Sequence, residues 1–376
     1  MKSLLITHPG IEDISQLEVK ELIKKDTKID AKQPSVITFE TNKYEDLVKI
    51  AYKSQSISKI LILLDQIKIT KINDIKKLKF DIKDWINKKT SFKVKCKRMG
   101  KHSFNSKEIE EEIGGLFIDK YKLKVNLTEP DIIIFAYVYN ENLYLGIDIT
   151  GMNLSKRSYK IFHHPDSLKG TIAYALTRIS GYKPNKKIIN PFCSDGTIII
   201  ETGLFASNFP VRFFEKEKFL FKELKPFSHI DFDKLFKKLD SNIKKDKFQI
   251  IGSESLLRHI NSCKKNAKIS GIDRNVEFRR YDIEWLDTKF NKNEIDFIIT
   301  RIIEPGKFFD KKKIEKIYKE FFYHTEFVLN KNGKMIILSR KKDLITTKAE
   351  EFKLKVNINR QLQIGDSNYY VLEIKK

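Results

Sequence analysis

The chain has 376 residues, 41% of them hydrophobic, and carries 73 Lys and Arg against 50 Asp and Glu for a formal net charge of +23. That apolar fraction excludes wholesale disorder, and the length passes the roughly 250–300 residues at which a single core stops growing, so two or three domains are expected. Cys96, Cys193 and Cys263 lie far apart in sequence with no paired Cys or His nearby, which argues against a zinc motif or a disulfide framework and fits a reducing cytosol.

Taken in order, Lys2 to Thr7 reads as a strand, Glu12 to Lys25 as a helix with apolar Ile14, Leu17, Leu22 and Ile23, and Ser35 to Thr41 as a second strand. Tyr44 to Ser54 follows as a helix and Ile60 to Ile69 as a strand. This order is that of a small ferredoxin-like α+β unit over residues 1–74. Phe92 to Arg98 alternates apolar and basic residues as an exposed strand does, a helix runs from Ser106 to Tyr121, and strands cover Asp131 to Tyr139 and Leu143 to Asp148. They make a second α/β unit over 75–150, followed by a linker to residue 180. The apolar run Ile132 to Tyr139 is the longest and falls short of the roughly 18 residues of a membrane span, while Glu12 and Asp13 come too early for a signal peptide. A cytoplasmic protein with neither membrane nor metal partner is expected.

From residue 181 the rhythm changes. Ile188 to Phe192, Gln249 to Ser253, Asn275 to Phe278, Asp296 to Thr300 and Lys334 to Ser339 are short bounded apolar strands separated by helical segments, the pattern of a parallel doubly wound sheet. Phe352 to Asn359 and Tyr369 to Ile374 flank Gly365-Asp366 as a closing hairpin. The Lys-rich aromatic stretch Asn208 to Lys247 reads as a surface excursion.

The charge points to a polyanion, because surface Lys and Arg release counterions from phosphates. An AT-rich genome, which favours Lys and Ile, accounts for part of the excess. Both halves are basic, with 27 basic and 22 acidic side chains in residues 1–150 and 46 and 28 in the rest. Trp85 to Lys107 stands out with eight Lys or Arg and no acid.

In doubly wound sheets ligands bind beyond the carboxyl ends of the strands, where strand order reverses. The first strand-loop-helix there reads Asn190-Pro191-Phe192-Cys193-Ser194-Asp195-Gly196-Thr197 and continues to Glu201. Gly196 permits close backbone approach, and amides at a helix start hold a carboxylate or phosphate. Glu254 ends the second strand, where an acid accepts ribose hydroxyls, and Asp282 follows the third, within reach of an adenine amino group. Each alone is more often a turn, a cap or a solvated acid; their order on three successive strands points to a nucleoside cofactor. No nucleophile elbow or Walker loop is present.

The segment Lys156-Arg157-Ser158-Tyr159, with His164-Pro165, Leu168-Lys169 and then NPFCSDGTIIIE, resembles the entry to the catalytic domain of tRNA and rRNA guanine methyltransferases that carry a THUMP domain. SFKVKCKRMGKHSFNSKEIEEEIG, KVNLTEPDIIIFAYV and LYLGID resemble the THUMP domain itself, and LLITHPGIEDI resembles the unit that precedes it. Archaeal enzymes that make 2-methylguanosine in the tRNA acceptor stem look most similar, and the 208–247 stretch is like that of bacterial rRNA relatives. The resemblance implies an N-terminal ferredoxin-like unit plus THUMP domain, then a Rossmann-like class I methyltransferase domain over 181–376. It implies S-adenosylmethionine across Asn190, Pro191, Phe192, Ser194, Asp195, Gly196 and Thr197, with Glu254 at the ribose and Asp282 near the adenine, in a hollow beside Pro191 and Glu254. His163-His164 would serve as a structural or lid segment. THUMP domains also occur in thiouridine synthetases, but the phosphate loop that adenylation requires is missing here.

A THUMP unit would grip the tRNA acceptor end through Lys93, Lys95, Lys97, Arg98, Lys101 and His102, with Lys156 and Arg157 in the linker, and a fixed distance to the pocket would select the nucleotide. The same lysines read equally as one solvated strand face.

Two motifs depart from the family. Its first loop opens with Asp and holds Gly-Ser-Gly, where this chain has Asn190 and Ser194-Asp195-Gly196. Asp195 would face the methionine end, to pair with its ammonium or sulfonium group or to repel its carboxylate. On the fourth strand an Asn-Pro-Pro-aromatic or Asn-Leu-Pro-Tyr motif is replaced by Arg301-Ile302-Ile303-Glu304-Pro305-Gly306. Arg301 has no acceptor, which leaves Glu304 to accept amine hydrogens and Phe308 or Phe309 to stack on the base. The leading expectation is a cytosolic tRNA guanine-2-amino methyltransferase using S-adenosylmethionine. The alternative is an inactive tRNA-binding chaperone or partner of an active methyltransferase, and a more distant one is a DNA amino-methyltransferase.

Overall fold

The computed structural model describes residues 1–23, 29–305, 311–365 and 367–376, without the side chains of Lys32 and Lys311. The chain divides into two compact units: residues 1–7, 15–154 and 212–239, and residues 8–14, 155–211 and 240–376.

The first unit is built on one eight-stranded sheet. Its strands are β1 (Lys2–Ile6), β2 (Ile29–Gln33), β3 (Val36–Glu40), β4 (Lys59–Lys68), β5 (Ser91–Met99), β6 (Lys124–Val125), β7 (Ile132–Tyr139) and β8 (Asn142–Asp148), in the order β2-β3-β1-β4-β8-β7-β5-β6. β4 pairs antiparallel with β8, so residues 1–74 and 75–150 share a sheet. The mostly polar IDAKQ of β2 and the two-residue β6 carry no apolar period, and pairing with a neighbour defines them as strands. Helices α1 (Glu12–Ile23), α2 (Tyr44–Lys53) and α3 (Ser106–Tyr121) accompany the sheet. The start of α3 is set by a capping box in which the Asn105 side chain accepts from the Lys107 and Glu108 amides while Glu108 reaches back to the Asn105 amide.

Residues 212–239 differ from the expected surface excursion. Phe219, Phe221, Phe227 and Phe236 are buried in the same core as Leu47, Val48 and Tyr52 of α2, and the Phe227 ring packs tilted against Tyr44 with centroids 4.6 Å apart. The lysines between these rings face solvent, so the stretch is amphipathic, and only its packing partner reveals which side is inside.

The second unit holds a seven-stranded sheet of β9 (Ile188–Asn190), β10 (Ile250–Glu254), β11 (Glu277–Arg280), β12 (Ile295–Arg301), β13 (Leu329–Ser339), β14 (Lys355–Ile364) and β15 (Ser367–Lys375), ordered β11-β10-β9-β12-β13-β15-β14. The first five are parallel and β15 runs antiparallel between β13 and β14. Helices α4 (Gly170–Ser180), α5 (Thr197–Ser207), α6 (Phe232–Asp240, which closes the 212–239 segment of the first unit), α7 (Leu257–Ser270), α8 (Leu286–Lys289), α9 (Lys311–Val328) and α10 (Lys342–Glu350) complete the chain. α5 is apolar on every side because it is buried almost throughout, with Ile198, Ile199, Ile200 and Leu204 at most 4% exposed. Burying each such side chain stabilises by roughly 1.5–3 kcal/mol. Strand order reverses between β9 and β12, so Asn190 and Arg301 end the two strands that flank the ligand-binding crevice of such sheets.

Candidate functional site

β9 is only three residues long, so the chain turns at Asn190, which is 1% exposed and accepts the Phe192 amide at 3.2 Å. The turn needs two left-handed residues, Ser194 at φ +54° and Gly196 at φ +84°. At Gly196 a Cβ would stand 3.0 Å from the Phe278 ring and 3.2 Å from Cys263, so glycine is required for packing as well as for backbone conformation. Pro191 is buried and Phe192 partly so. Cys193 and Cys263 meet beneath the loop with their thiols 3.6 Å apart, a proximity that their 70-residue separation hides. Burial and then Cys263 push the Cys193 thiol well above its usual value, which leaves it a packing residue and not a nucleophile.

Asp195 has partners within its own chain. Its carboxylate is 2% exposed and caps α5, accepting from the Thr197 amide at 3.3 Å and hydroxyl at 2.7 Å. Its other oxygen accepts from the Ser167 hydroxyl and lies 3.7 Å from Lys160. Its charge is therefore matched by the chain itself.

Glu254 at the end of β10 accepts the Ser194 amide at 3.2 Å and the Ser255 amide at 3.1 Å. Burial raises its pKa above the ordinary value, against these two amides and His164, which lower it. His164 and His259 meet edge to face with centroids 4.6 Å apart, and His259 Nδ1 lies 4.0 Å from Glu254. Asp282 is exposed at the end of β11 and lines an open hollow of about 250 Å³ with Ser255, Arg280, Tyr281 and Trp285.

The end of β12 is already engaged. Arg301 lies 3.2 Å from the Asp166 carboxylate and donates to the Asp166 carbonyl at 2.8 Å. Glu304 was expected to accept amine hydrogens, but its carboxylate is taken by Arg340 Nε at 2.6 Å and the Ser339 hydroxyl at 3.0 Å, leaving it 6% exposed. The Ile303 carbonyl accepts from Tyr318 at 2.7 Å, and Pro305 is half-buried beside it. Phe308 and Phe309 lie outside the described residues. Ser339 at the end of β13, Arg340 just after it and Tyr369 on β15 carry no motif that marks them in the sequence.

Of the basic candidates, Arg157 needs correction. It is buried against Glu201 at 2.7 Å and cannot meet RNA, because the carboxylate it neutralises has no exposure. Lys156 is exposed in the same segment. In the first unit the period of two along β5 sends Lys93, Lys95 and Lys97 to one face and Arg98 to the other. Lys95 and Lys97 line a hollow of about 200 Å³ with Lys59, Phe135 and Asn153, and Lys97 stands 5.7 Å over the Tyr137 ring. Lys93 donates to the Leu127 carbonyl, and burial followed by neighbouring Lys95 lowers its pKa. Arg98 turns to His102 Nδ1 at 3.1 Å and Ser106 at 3.3 Å, while His102 Nε2 meets the Asn140 carbonyl at 2.7 Å, so both are partly structural; Lys101 is exposed.

Among the described residues no group of three or more His, Cys, Asp or Glu could hold a metal ion, and no helix is long and apolar enough to cross a membrane.

A doubly wound sheet with acids at the ends of successive strands, on one chain with a mixed sheet bearing a basic strand, defines a Rossmann-like nucleoside-binding architecture joined to a second α/β unit. The description "RMKL-like, methyltransferase domain" matches residues 157–369, and "THUMP domain" matches 70–148. The chain belongs to the RMKL-like methyltransferase family and carries a THUMP domain. It is 32% identical to the tRNA (guanine(6)-N2)-methyltransferase of Methanocaldococcus jannaschii over 93% of this chain and 94% of that protein. To the enzyme of the same name from Archaeoglobus fulgidus it is 26% identical, over 95% and 88%. SMU.472, solved in complex with SAH, superposes with a TM-score of 0.79 at 20% identity over 100% of this chain and 97% of that one. TrmN from Thermus thermophilus gives 0.70 at 19%, covering 100% of both; likenesses at this identity bear on the fold alone.

The family uses S-adenosylmethionine, and the donors can be tested against it. The adenosyl half fits, with a carboxylate at the end of β10, a second at the end of β11 and an open 250 Å³ hollow beside them. The other half is narrow. The hollow lined by Asp166, Ser167, Asn190, Ser194, Asp195 and Arg301 measures about 10 Å³, room for roughly one water.

Proposed function

We propose that this protein is an S-adenosylmethionine-dependent tRNA methyltransferase acting on the 2-amino group of a guanosine in the acceptor-stem region, in the cytoplasm. The observation that carries this reading is likeness to the two archaeal enzymes along nearly the whole length of both partners, so that the basic sheet and the crevice are matched together in one chain. The cofactor supplies an electrophilic methyl group. Glu254 would accept its ribose hydroxyls and Asp282 its adenine amine, with the loop from Asn190 to Thr197 beside its amino-acid end. Lys95 and Lys97 would hold the acceptor end by placing their ammonium groups on its phosphates. An exocyclic amine needs little acid–base help, so orientation of its lone pair would supply most of the rate. With Glu304 committed to Arg340, backbone carbonyls at the end of β12 are left to accept from that amine.

The second reading, a tRNA-binding partner without turnover, has the narrow amino-acid half and Arg301 in its favour. Transfer of labelled methyl to unmodified tRNA, by the natural chain and by Arg301→Asn, decides between them. Incorporation at guanosine N2 by the natural chain supports the enzyme, and incorporation by the Asn variant alone supports the partner.

A further inference from the structure

Arg301 is tied on two sides. Nη1 donates to the Asp166 carbonyl at 2.8 Å, Nη2 lies 3.2 Å from the Asp166 carboxylate and 3.3 Å from the Tyr369 hydroxyl, and the guanidinium carbon stands 5.5 Å over the Tyr369 ring. Asp166 comes from the loop that enters α4, so the pair fastens that loop to the carboxyl end of β12. Both residues line the 10 Å³ hollow. Its inner wall is fixed, because the Asp195 carboxylate is shared among Thr197, Ser167 and Lys160. The outer wall is the one that can yield, since the Asp166 side chain is 56% exposed whereas that of Arg301 is 18% exposed.

We propose that Arg301 and Asp166 form a latch over the amino-acid half of the cofactor pocket, and that an RNA phosphate opens it by drawing Arg301 away from Asp166. This rests on the functional reading above and adds an order to it: RNA arrival admits the cofactor's amino-acid end. A half-exposed carboxylate offering one oxygen is a weak, salt-screened partner. A phosphate offers several anionic oxygens in the geometry that a guanidinium binds in pairs, and the chain's net charge of +23 concentrates RNA around it. Coupling of this kind is reciprocal, so a cofactor analogue should tighten RNA binding by the same factor that RNA tightens the analogue.

The test is equilibrium binding of S-adenosylhomocysteine, which permits no turnover, by calorimetry with and without unmodified tRNA. Without RNA, Asp166→Ala should bind about two- to fivefold more tightly than the natural chain, the range that a partly exposed ion pair holds. Added tRNA should tighten binding to the natural chain by a similar factor and tighten Asp166→Ala less, since that variant loses the carboxylate contact and keeps only the backbone carbonyl bond. Arg301→Ala frees the mouth from the other side and should also bind more tightly and lose the tRNA response, which guards against a folding defect in one variant. Equal affinity of the natural chain and both variants, or equal tightening by tRNA in all three, overturns the latch while leaving the methyltransferase reading intact. Failure of all three to bind at millimolar ligand, with and without tRNA, removes both.

Discussion

The Arg157 guanidinium grips the Glu201 carboxylate out of reach of solvent, with Nε to Oε1 at 2.7 Å, Nη2 to Oε2 at 3.1 Å and neither side chain more than 1% exposed. The Tyr159 hydroxyl adds a third bond to Oε1 at 2.7 Å, and Gly170 leaves the space, since a Cβ there would stand 2.5 Å from both Arg157 Nε and Glu201 Oε1. Removing one member strands a buried charge. Arg157→Ala or Glu201→Ala should cost about 3–5 kcal/mol, while the double change Arg157→Met with Glu201→Leu should cost much less. Denaturant unfolding of the three variants checks this, and equal losses in all of them would contradict it.

On β5 the lysines of one face make a separable prediction about RNA. Lys95→Glu with Lys97→Glu removes cations that line the 200 Å³ hollow. The change should weaken tRNA binding by about tenfold or more and shallow the slope of log affinity against log salt by about 0.7–0.9 for each phosphate no longer neutralised. Arg98→Ala should act mainly on stability, because Arg98 faces the other way and is bonded to His102 and Ser106. Filter binding over a salt series and thermal melts separate the two effects. An unchanged slope in the lysine variant would remove the proposed grip.

The doubly wound sheet was legible because its strands are short apolar runs bounded by turns, and the crevice followed from Asn190, Glu254 and Asp282 ending successive strands. Arg157 misled because a basic residue in a linker motif looks the same whether it meets phosphate or a buried acid 44 residues away. Phe219 to Phe236 misled for a related reason: amphipathic spacing shows that one side is buried and not against what. The commitment of Glu304 to Arg340 and the meeting of Cys193 with Cys263 depend on which strands and helices become neighbours, which local pattern does not encode.

Ser194 occupies a left-handed conformation, φ +54°, that glycine adopts more readily. A β-carbon there costs roughly 1 kcal/mol or more against the following carbonyl. Its amide bond to Glu254 involves only the backbone and survives replacement. Ser194→Gly should therefore stabilise the chain, by about 1 kcal/mol or some 2–4 °C in Tm for a unit of this size, and calorimetry on the pair would show it. A lower Tm would mean that the hydroxyl holds the loop in a way the hydrogen bonds do not reveal.

At Glu254 stability and binding should move in opposite directions. Burial raises its carboxyl above the ordinary 4.5, so the folded chain holds this proton more tightly than the unfolded chain does. The group's contribution to stability is complete below the unfolded value and is lost as pH rises through the folded one, which makes the buried charge a net cost at neutral pH. Glu254→Gln should raise Tm at pH 7, with the gain shrinking toward pH 4, where both forms are neutral. Recognition of a ribose favours the charged form, so the same variant should bind S-adenosylhomocysteine about 10- to 100-fold more weakly, the worth of hydrogen bonds to a charged acceptor. For the natural chain, affinity should fall as the solution is acidified from pH 7, beginning above the pH at which an ordinary glutamate titrates, whereas the Gln variant should stay flat. Parallel pH profiles in the two proteins would place the ribose elsewhere, and a Tm at pH 7 below that of the natural chain would mean that the amides of Ser194 and Ser255 outweigh the burial of the charge.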